Sequence, residues 1–257
     1  MVHPGRMMAH IRALTDIGPR PGGSDGEARA AAYIEKEGTA KGYRAVRQPV
    51  PLAGGESANV ILLPADTTFD PAEDRHLVIG AHYDTVAGSP GANDNASGVA
   101  VMLEVARILS VRLPSMPVVF VAFGAEEGGP RDPRIAGSLR YVELMSPRER
   151  RNVLAMINLD MVGHGDALLS TLRVNMKRGV HRRLLEQAAR VGVPVREHFT
   201  PQISDSVPFS SQGIETAWLW NGVVPSFHSP LDTPDKVTPV SLDWAGRLTL
   251  AVIRSFE

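Results

Sequence analysis

Residues 77–84 read Leu-Val-Ile-Gly-Ala-His-Tyr-Asp, an apolar run that ends on an imidazole and a carboxylate. The run shows no polar alternation. That is the pattern of a strand covered on both faces of a sheet. Two other stretches share it and also close on carboxylates: Val118–Glu127 (VVFVAFGAEE) and Leu154–Asp160 (LAMINLD). Strands are therefore expected over His76–His82, Val118–Phe123 and Leu154–Asp160, with further β-rich segments at Tyr43–Val50, Asn59–Leu63, Leu172–Met176 and Thr216–Leu219. Segments of helical period lie around them: Met7–Ile17, Glu27–Lys41, Ser97–Val111, Ser138–Met145, Val180–Val191, Ser206–Gln212 and Ser241–Phe256. Gly42 and Gly192 stand where C-terminal helix caps are wanted. The alternation predicts an α/β fold: one three-layer α/β/α domain over residues 1–257, with helices on both faces of a mostly parallel, mixed central sheet.

Composition excludes several classes of function. The 257 residues are 43% hydrophobic and 21% charged, which rules out intrinsic disorder. With 27 basic and 28 acidic side chains, the chain has no global field to grip nucleic acid or an anionic membrane. The absence of cysteine excludes disulfides and thiolate metal sites. The longest strongly apolar uncharged run, Leu113–Ala125, is too short to span a bilayer and contains two prolines. The first residues, MVHPGRMMAHIRAL, hold no apolar stretch of signal-peptide length. A cytoplasmic location is the expectation, with export, or origin as a soluble domain of a longer parent, as the alternatives. Nothing in the sequence specifies an oligomer.

Gly22-Gly23-Ser24-Asp25-Gly26 matches the G-x-S-x-G pattern of serine hydrolases. A nucleophile elbow needs a strand before the serine. Here a helical segment and the loop Gly18-Pro19-Arg20-Pro21 precede it, so Ser24 or Asp25 is read as a helix N-cap.

The polar residues that bear chemistry gather just past the buried strands. His82 and Asp84 follow the first, Glu126 and Glu127 the second, and Asp160 ends the third. Sites in open α/β sheets form at the carboxyl ends of strands, so these distant segments are expected to meet. Asp94 lies in the Gly/Asn-rich loop 91–95 and His228 in the late loop 225–230. Two imidazoles and several carboxylates without sulfur suit borderline divalent metals, zinc above all. Five candidate ligands exceed the need of one catalytic zinc and suit a pair sharing a bridging carboxylate. Adjacent carboxylates such as Glu126 and Glu127 repel unless a cation or shared proton offsets them, so one can bind metal while its neighbour works as a base.

The series HYDTV (82–86), GANDNASG (91–98), AFGAEEGG (122–129), INLDMVG (157–163), SDSVPF (204–209) and FHSPLDTPDKV (227–237) resembles the zinc-dependent aminopeptidases of the M28 type. The opening GPRPGGS (18–24) is similar too. The resemblance implies a zinc-exopeptidase-like fold and two Zn²⁺ ions per chain bridged by Asp94. His82 and Asp160 would bind one ion, and Glu127 and His228 the other. Glu126 would be the general base that activates the attacking water and returns its proton to the leaving amine. Asp84 would fix the ring of His82. The Asp94–Asn95 peptide bond would be cis. The implied substrate is a peptide with a free N-terminus.

The sequence departs from the family pattern in three places. Residues 128–136 separate the Glu pair from Gly137-Ser138 by more than usual, and place Arg131 and Arg134 where they could reach a substrate carboxylate. Phe227 stands where many relatives place a tyrosine whose hydroxyl steadies the oxyanion. Ser206 stands where histidine is common. Trp218 is assigned to the core, and Trp220 and Phe227 are candidates for an apolar pocket. Alternative activities are a glutaminyl cyclase-like acyltransferase, which shares the fold with one zinc, and a carboxypeptidase or dipeptidase of the same superfamily. Some relatives have become receptors by losing ligands, and here all five are present.

Overall fold

The buried apolar runs assemble into one eight-stranded sheet of order β1-β2-β4-β3-β5-β8-β6-β7. The computed structural model describes residues 1–66, 68–128, 132–173 and 176–257. The strands are β1 (Arg44–Leu52), β2 (Gly55–Leu63), β3 (His76–His82), β4 (Val118–Phe123), β5 (Val153–Leu159), β6 (Leu168–Leu172), β7 (Val195–Phe199) and β8 (Thr216–Trp220). The four central strands, β4-β3-β5-β8, run parallel. Antiparallel joints, β2 on β4 and β6 on β8, extend the sheet on either side. The fold is the expected mixed α/β type.

The helices are α1 (Pro4–Thr15), α2 (Asp25–Thr39), α3 (Gly98–Val111), α4 (Ala136–Leu144), α5 (Pro147–Asn152), α6 (Gly179–Val191), α7 (Ser206–Ser211) and α8 (Pro239–Arg254). Side chains alternate across a strand, so the sheet builds two cores. Leu77, Ile79 and Ala81 of β3 join one face with Ile11 of α1, Leu103 of α3 and Leu248 of α8. Val78 of β3, with Val121 and Phe123 of β4, joins the other with Tyr141 of α4 and Phe209 of α7. Helix α3, GVAVMLEVARILSV, is buried along most of its length. An all-round apolar helix of this kind must be packed on more than one side.

The structure departs from the sequence reading at the sheet's far edge. The strand expected over Leu172–Met176 lies instead at Leu168–Leu172, and Val174 and Asn175 fall outside the described residues. Its Ser170 and Thr171 are buried by pairing with β8, which hides the segment from an apolar search. The edge strand β7, Val-Arg-Glu-His-Phe, carries three polar residues and shows no apolar pattern. Elsewhere local chemistry decides. Ser24 caps α2, its hydroxyl accepting from the Glu27 amide at 3.2 Å, as the capping reading requires. Gly192, at φ 66°, closes α6.

Gly137, near the start of α4, lets that helix lie against the backbone of Gly124, just past β4. A methyl group there would overlap the Gly124 carbonyl oxygen and the Asn59 side chain. Gly137→Ala is therefore expected to lower the unfolding free energy by about 1–3 kcal/mol, read from urea denaturation. An unchanged midpoint would mean that α4 can withdraw from the sheet at no cost.

Candidate metal centre

Strands β4, β3 and β5 are parallel neighbours, with His82 level with Phe123 and Gly80 level with Asn158. Their carboxyl ends therefore deliver His82, the Glu126–Glu127 pair and Asp160 to one edge. Asp94 arrives from an irregular turn, Ala92–Ser97, at the head of α3, and the Asp94–Asn95 peptide bond is cis. His228 arrives from the loop after β8.

The distances sort these groups into two sets. His82 Nε2 lies 3.2 Å from Asp94 Oδ1 and 3.4 Å from Asp160 Oδ1. His228 Nε2 lies 3.2 Å from Asp94 Oδ2 and 3.1 Å from Glu127 Oε1. Asp94 thus turns one oxygen to each imidazole. Ligand atoms of His82, Asp94 and Glu127 all lie within 4.8 Å of one another. The buried Glu127 Oε2 has no hydrogen-bond partner among the described residues. An unpartnered buried carboxylate oxygen beside nitrogen and oxygen donors fits a divalent cation such as zinc.

Charge is concentrated here at low solvent exposure. Burial disfavours protonation of His82, but its contacts with Asp160, Asp84 and Asp94 overcome this and hold its pKa well above the usual histidine range. His228 behaves alike: burial lowers its pKa, and Asp94 and Glu127 raise it to about 9. Asp94 is driven the other way, since the two imidazoles outweigh its burial and hold it below the ordinary carboxylate range. Burial raises Glu126 well above the ordinary value. The charge of His82 opposes this, and Asp205, Glu127 and Asp160 add to it. Burial and the Asp94 charge push Glu127 up to about 7.

Asp84 does more than face His82. Its Oδ1 lies 3.4 Å from His82 Nδ1 and accepts from the Glu126 amide at 2.9 Å. Its Oδ2 accepts from the Glu127 amide at 3.0 Å. One carboxylate therefore faces an imidazole and holds the backbone that presents both glutamates. Left-handed backbone at non-glycine residues also gathers here: Ala125 (φ 50°) precedes Glu126, Met161 (φ 57°) follows Asp160, and His228 itself has φ 53°. Such strain is characteristic of sites held by their surroundings.

Several residues that hold the centre were not singled out from sequence. Asp232 accepts from the Asn93 and Asp94 amides at 2.8 and 3.0 Å, tying the late loop to the shared carboxylate. Arg20, fully buried, donates to five backbone carbonyls, including Tyr83, Pro90 and Gly91. Burial lowers its pKa to about 10. Ser204 donates to Asp160 Oδ2 at 2.6 Å. Asp205, fully buried, has both oxygens without hydrogen bonds among the described residues, and burial lifts its pKa to about 7. The signal for Arg20, Ser204, Asp205 and Asp232 was their place inside motifs quoted above.

Of the loop arginines, Arg134 reaches the centre, with Nη2 3.2 Å from Glu126 Oε2, whereas Arg131 lies outside the described residues. Phe227 stacks on the His228 ring at 3.6 Å and so braces it. Trp220 is buried against Trp218 and belongs to the core rather than to an open pocket.

The sequence pattern of peptidase family M28 matches residues 62–253, and the chain belongs to that family. Aminopeptidase YwaD of Bacillus subtilis (strain 168) is 37% identical over 187 residues, 69% of this chain and 40% of that protein. The chain spans about half or less of the length of the curated relatives it matches. Among solved structures, a zinc aminopeptidase from Bacillus subtilis superposes with TM-score 0.89 at 20% identity, covering 100% of this chain and 95% of that one. A glutaminyl cyclase from Bacteroides thetaiotaomicron superposes with TM-score 0.86 at 20% identity, covering 99% and 98%. At this identity both share the fold. Among the described residues, no helix is long and apolar enough to cross a membrane.

Glu27 offers a test of the framework by pH. Its carboxylate accepts from the Gly23 amide at 2.6 Å, the Ser57 hydroxyl at 2.6 Å and the Ala125 amide at 3.0 Å, so it holds the turn that precedes Glu126. Burial, then the charge of Asp84, push its pKa up from an ordinary 4.5 to about 7 against those donors. The folded state therefore binds a proton that the unfolded chain releases between these values. Stability from this group is present below about pH 4.5 and is lost as pH rises through 7. Between pH 5 and 8, wild type is expected to lose up to about 3 kcal/mol relative to Glu27→Gln in urea unfolding. Parallel pH profiles would show that the carboxyl stays ionised when folded.

Proposed function

We propose that residues 1–257 act as one peptidase domain, a di-zinc aminopeptidase that hydrolyses the N-terminal bond of peptides. The observation that carries the reading is Asp94, whose two oxygens face two separate imidazoles at 3.2 Å. His82 and Asp160 would hold one zinc, Glu127 and His228 the other, with Asp94 shared. Zinc bound there supplies Lewis acidity, which polarises a carbonyl and lowers the pKa of water.

The chain's own residues supply the rest. Glu126, beside the ligand Glu127 but outside both histidine sets, takes a proton from the attacking water. It passes that proton to the leaving nitrogen as the C–N bond breaks and a C–O bond forms. Its high proton affinity, caused first by burial, suits a group that must both accept and donate. Asp84 keeps the His82 ring and the Glu126 amide in place. The carboxylates of the centre attract the positively charged N-terminus of a peptide, which favours cleavage from that end. Phe227 offers no hydroxyl to an oxyanion and serves instead to brace His228.

Matched peptides with free, acetylated and glutaminyl N-termini, read by mass spectrometry with and without chelator, test the reading. Stepwise trimming of the free peptide alone, lost with chelator and restored by zinc, is the expected result. Loss of ammonia from the glutaminyl peptide without trimming would move the activity to the cyclase class. Glu126→Gln is expected to lower kcat by about 10²–10⁴ with zinc content retained. Glu127→Gln is expected to reduce bound zinc toward one equivalent per chain. Zinc lost from the first variant and kept in the second would reverse the two assignments.

A further inference from the structure

Arg134 touches both glutamates of the centre, and the ligand and proton-transfer roles leave it unused. Its Nη2 lies 3.3 and 3.2 Å from the two oxygens of Glu126 and 3.7 Å from Glu127 Oε2. Nε and Nη1 make no hydrogen bond among the described residues. The side chain is 44% exposed, while those of Glu126 and Glu127 are at 2% and 3%. A guanidinium carries five N–H donors in a planar fork. The Arg134 side chain is thus open to solvent beside two glutamates that are not.

The backbone around Arg134 is anchored on both sides. Asp132 Oδ1 accepts from the Ala53 amide at 2.6 Å, at the turn between β1 and β2. The Ile135 amide donates to the Glu126 carbonyl at 2.7 Å, and the Ala136 amide to the Ala125 carbonyl at 3.1 Å. Ile135 takes the left-handed conformation, φ 59°, to enter α4. The arginine is thus held beside the turn that carries Glu126.

We propose that Arg134 is a specificity residue that receives a carboxylate on the leaving residue of the substrate. This rests on the aminopeptidase reading above. A base that delivers a proton to the leaving nitrogen must approach it to hydrogen-bond distance, about 3 Å. Arg134 occupies the same carboxylate, so it faces the residue that leaves. In a dipeptide the α-carboxylate of that residue is only two bonds from the nitrogen. Arginine binds carboxylates through paired N–H groups, and the second N–H of Nη2 can form such a pair with Nη1 or Nε while the first stays on Glu126. An acidic side chain on the second residue of a longer peptide presents the same chemistry from another source. The carboxylates around the centre would otherwise repel either anion.

The test compares Leu-Ala, Leu-Ala-amide and Leu-Asp-amide on zinc-loaded wild type, Arg134→Ala and Arg134→Lys, with folding and zinc content checked in each. For wild type, kcat/KM is expected to be at least tenfold higher for Leu-Ala than for Leu-Ala-amide, which identifies the α-carboxylate. A similar advantage of Leu-Asp-amide over Leu-Ala-amide identifies the side chain. In Arg134→Ala these ratios should fall toward one, chiefly through the free acids, and Arg134→Lys should restore part of them. Equal rates for all three peptides in wild type, or ratios unchanged in Arg134→Ala, would overturn the proposal. Should wild type release leucine from none of them, the aminopeptidase reading fails on its own. Calorimetric titration of the same peptides then decides the clamp: tighter binding of the acids only when Arg134 is present supports it, and equal binding in wild type and Arg134→Ala rejects it.

Discussion

The carboxylate of Asp94 lies buried between two imidazoles, one oxygen 3.2 Å from His82 Nε2 and the other 3.2 Å from His228 Nε2. A carboxylate can serve two partners only if its plane and its backbone are fixed. Much of the surrounding structure has that effect. Asp232 takes the Asn93 and Asp94 amides with both its oxygens. Asn95 donates to the Leu159 carbonyl at 2.8 Å and accepts from the Met161 amide at 3.1 Å, binding the turn to the end of β5. Arg20 donates to the carbonyls of Pro90 and Gly91. Three distant parts of the chain converge on one short turn.

That convergence has an electrostatic consequence. Six carboxylates, Asp84, Asp94, Glu126, Glu127, Asp160 and Asp205, are gathered with two imidazoles and the Arg134 guanidinium. Burial raises the proton affinity of Glu126, Glu127 and Asp205, whereas the imidazoles lower that of Asp94. Similar groups a few ångströms apart thereby acquire different character. This division is what a site needs if one carboxylate is to bind metal while its neighbour moves protons. The backbone supports it: Asp84 holds both glutamate amides, and Glu27 holds the amide before them.

Much of this was legible in the sequence because the relevant signals are local. Apolar runs without alternation marked β3, β4 and β5 as buried on both faces, and the polar residues at their ends followed in the next one to four positions. Less legible were elements whose character comes from neighbours. The edge strand β7 is polar because solvent covers it, and β6 hides buried Ser170 and Thr171 behind pairing with β8. Glu27 and Arg20 sit in a segment that reads as a helix start and a loop. Their burial depends on what the sheet later places over them.

The sequence by itself determined most of the element types, the parallel core and the polar side chains that stand at its strand ends, because periodicity and residue type are properties of short stretches. Only the tertiary structure decided which oxygen faces which nitrogen, since Asp94 and His228 are brought to His82 at the end of β3 by loops that no local rule connects. It also decided that Arg134 turns inward onto Glu126 and that Trp220 belongs to the core. Those outcomes depend on how the 132–136 segment is anchored to Ala53 and Glu126, and on how β8 packs between β5 and β6.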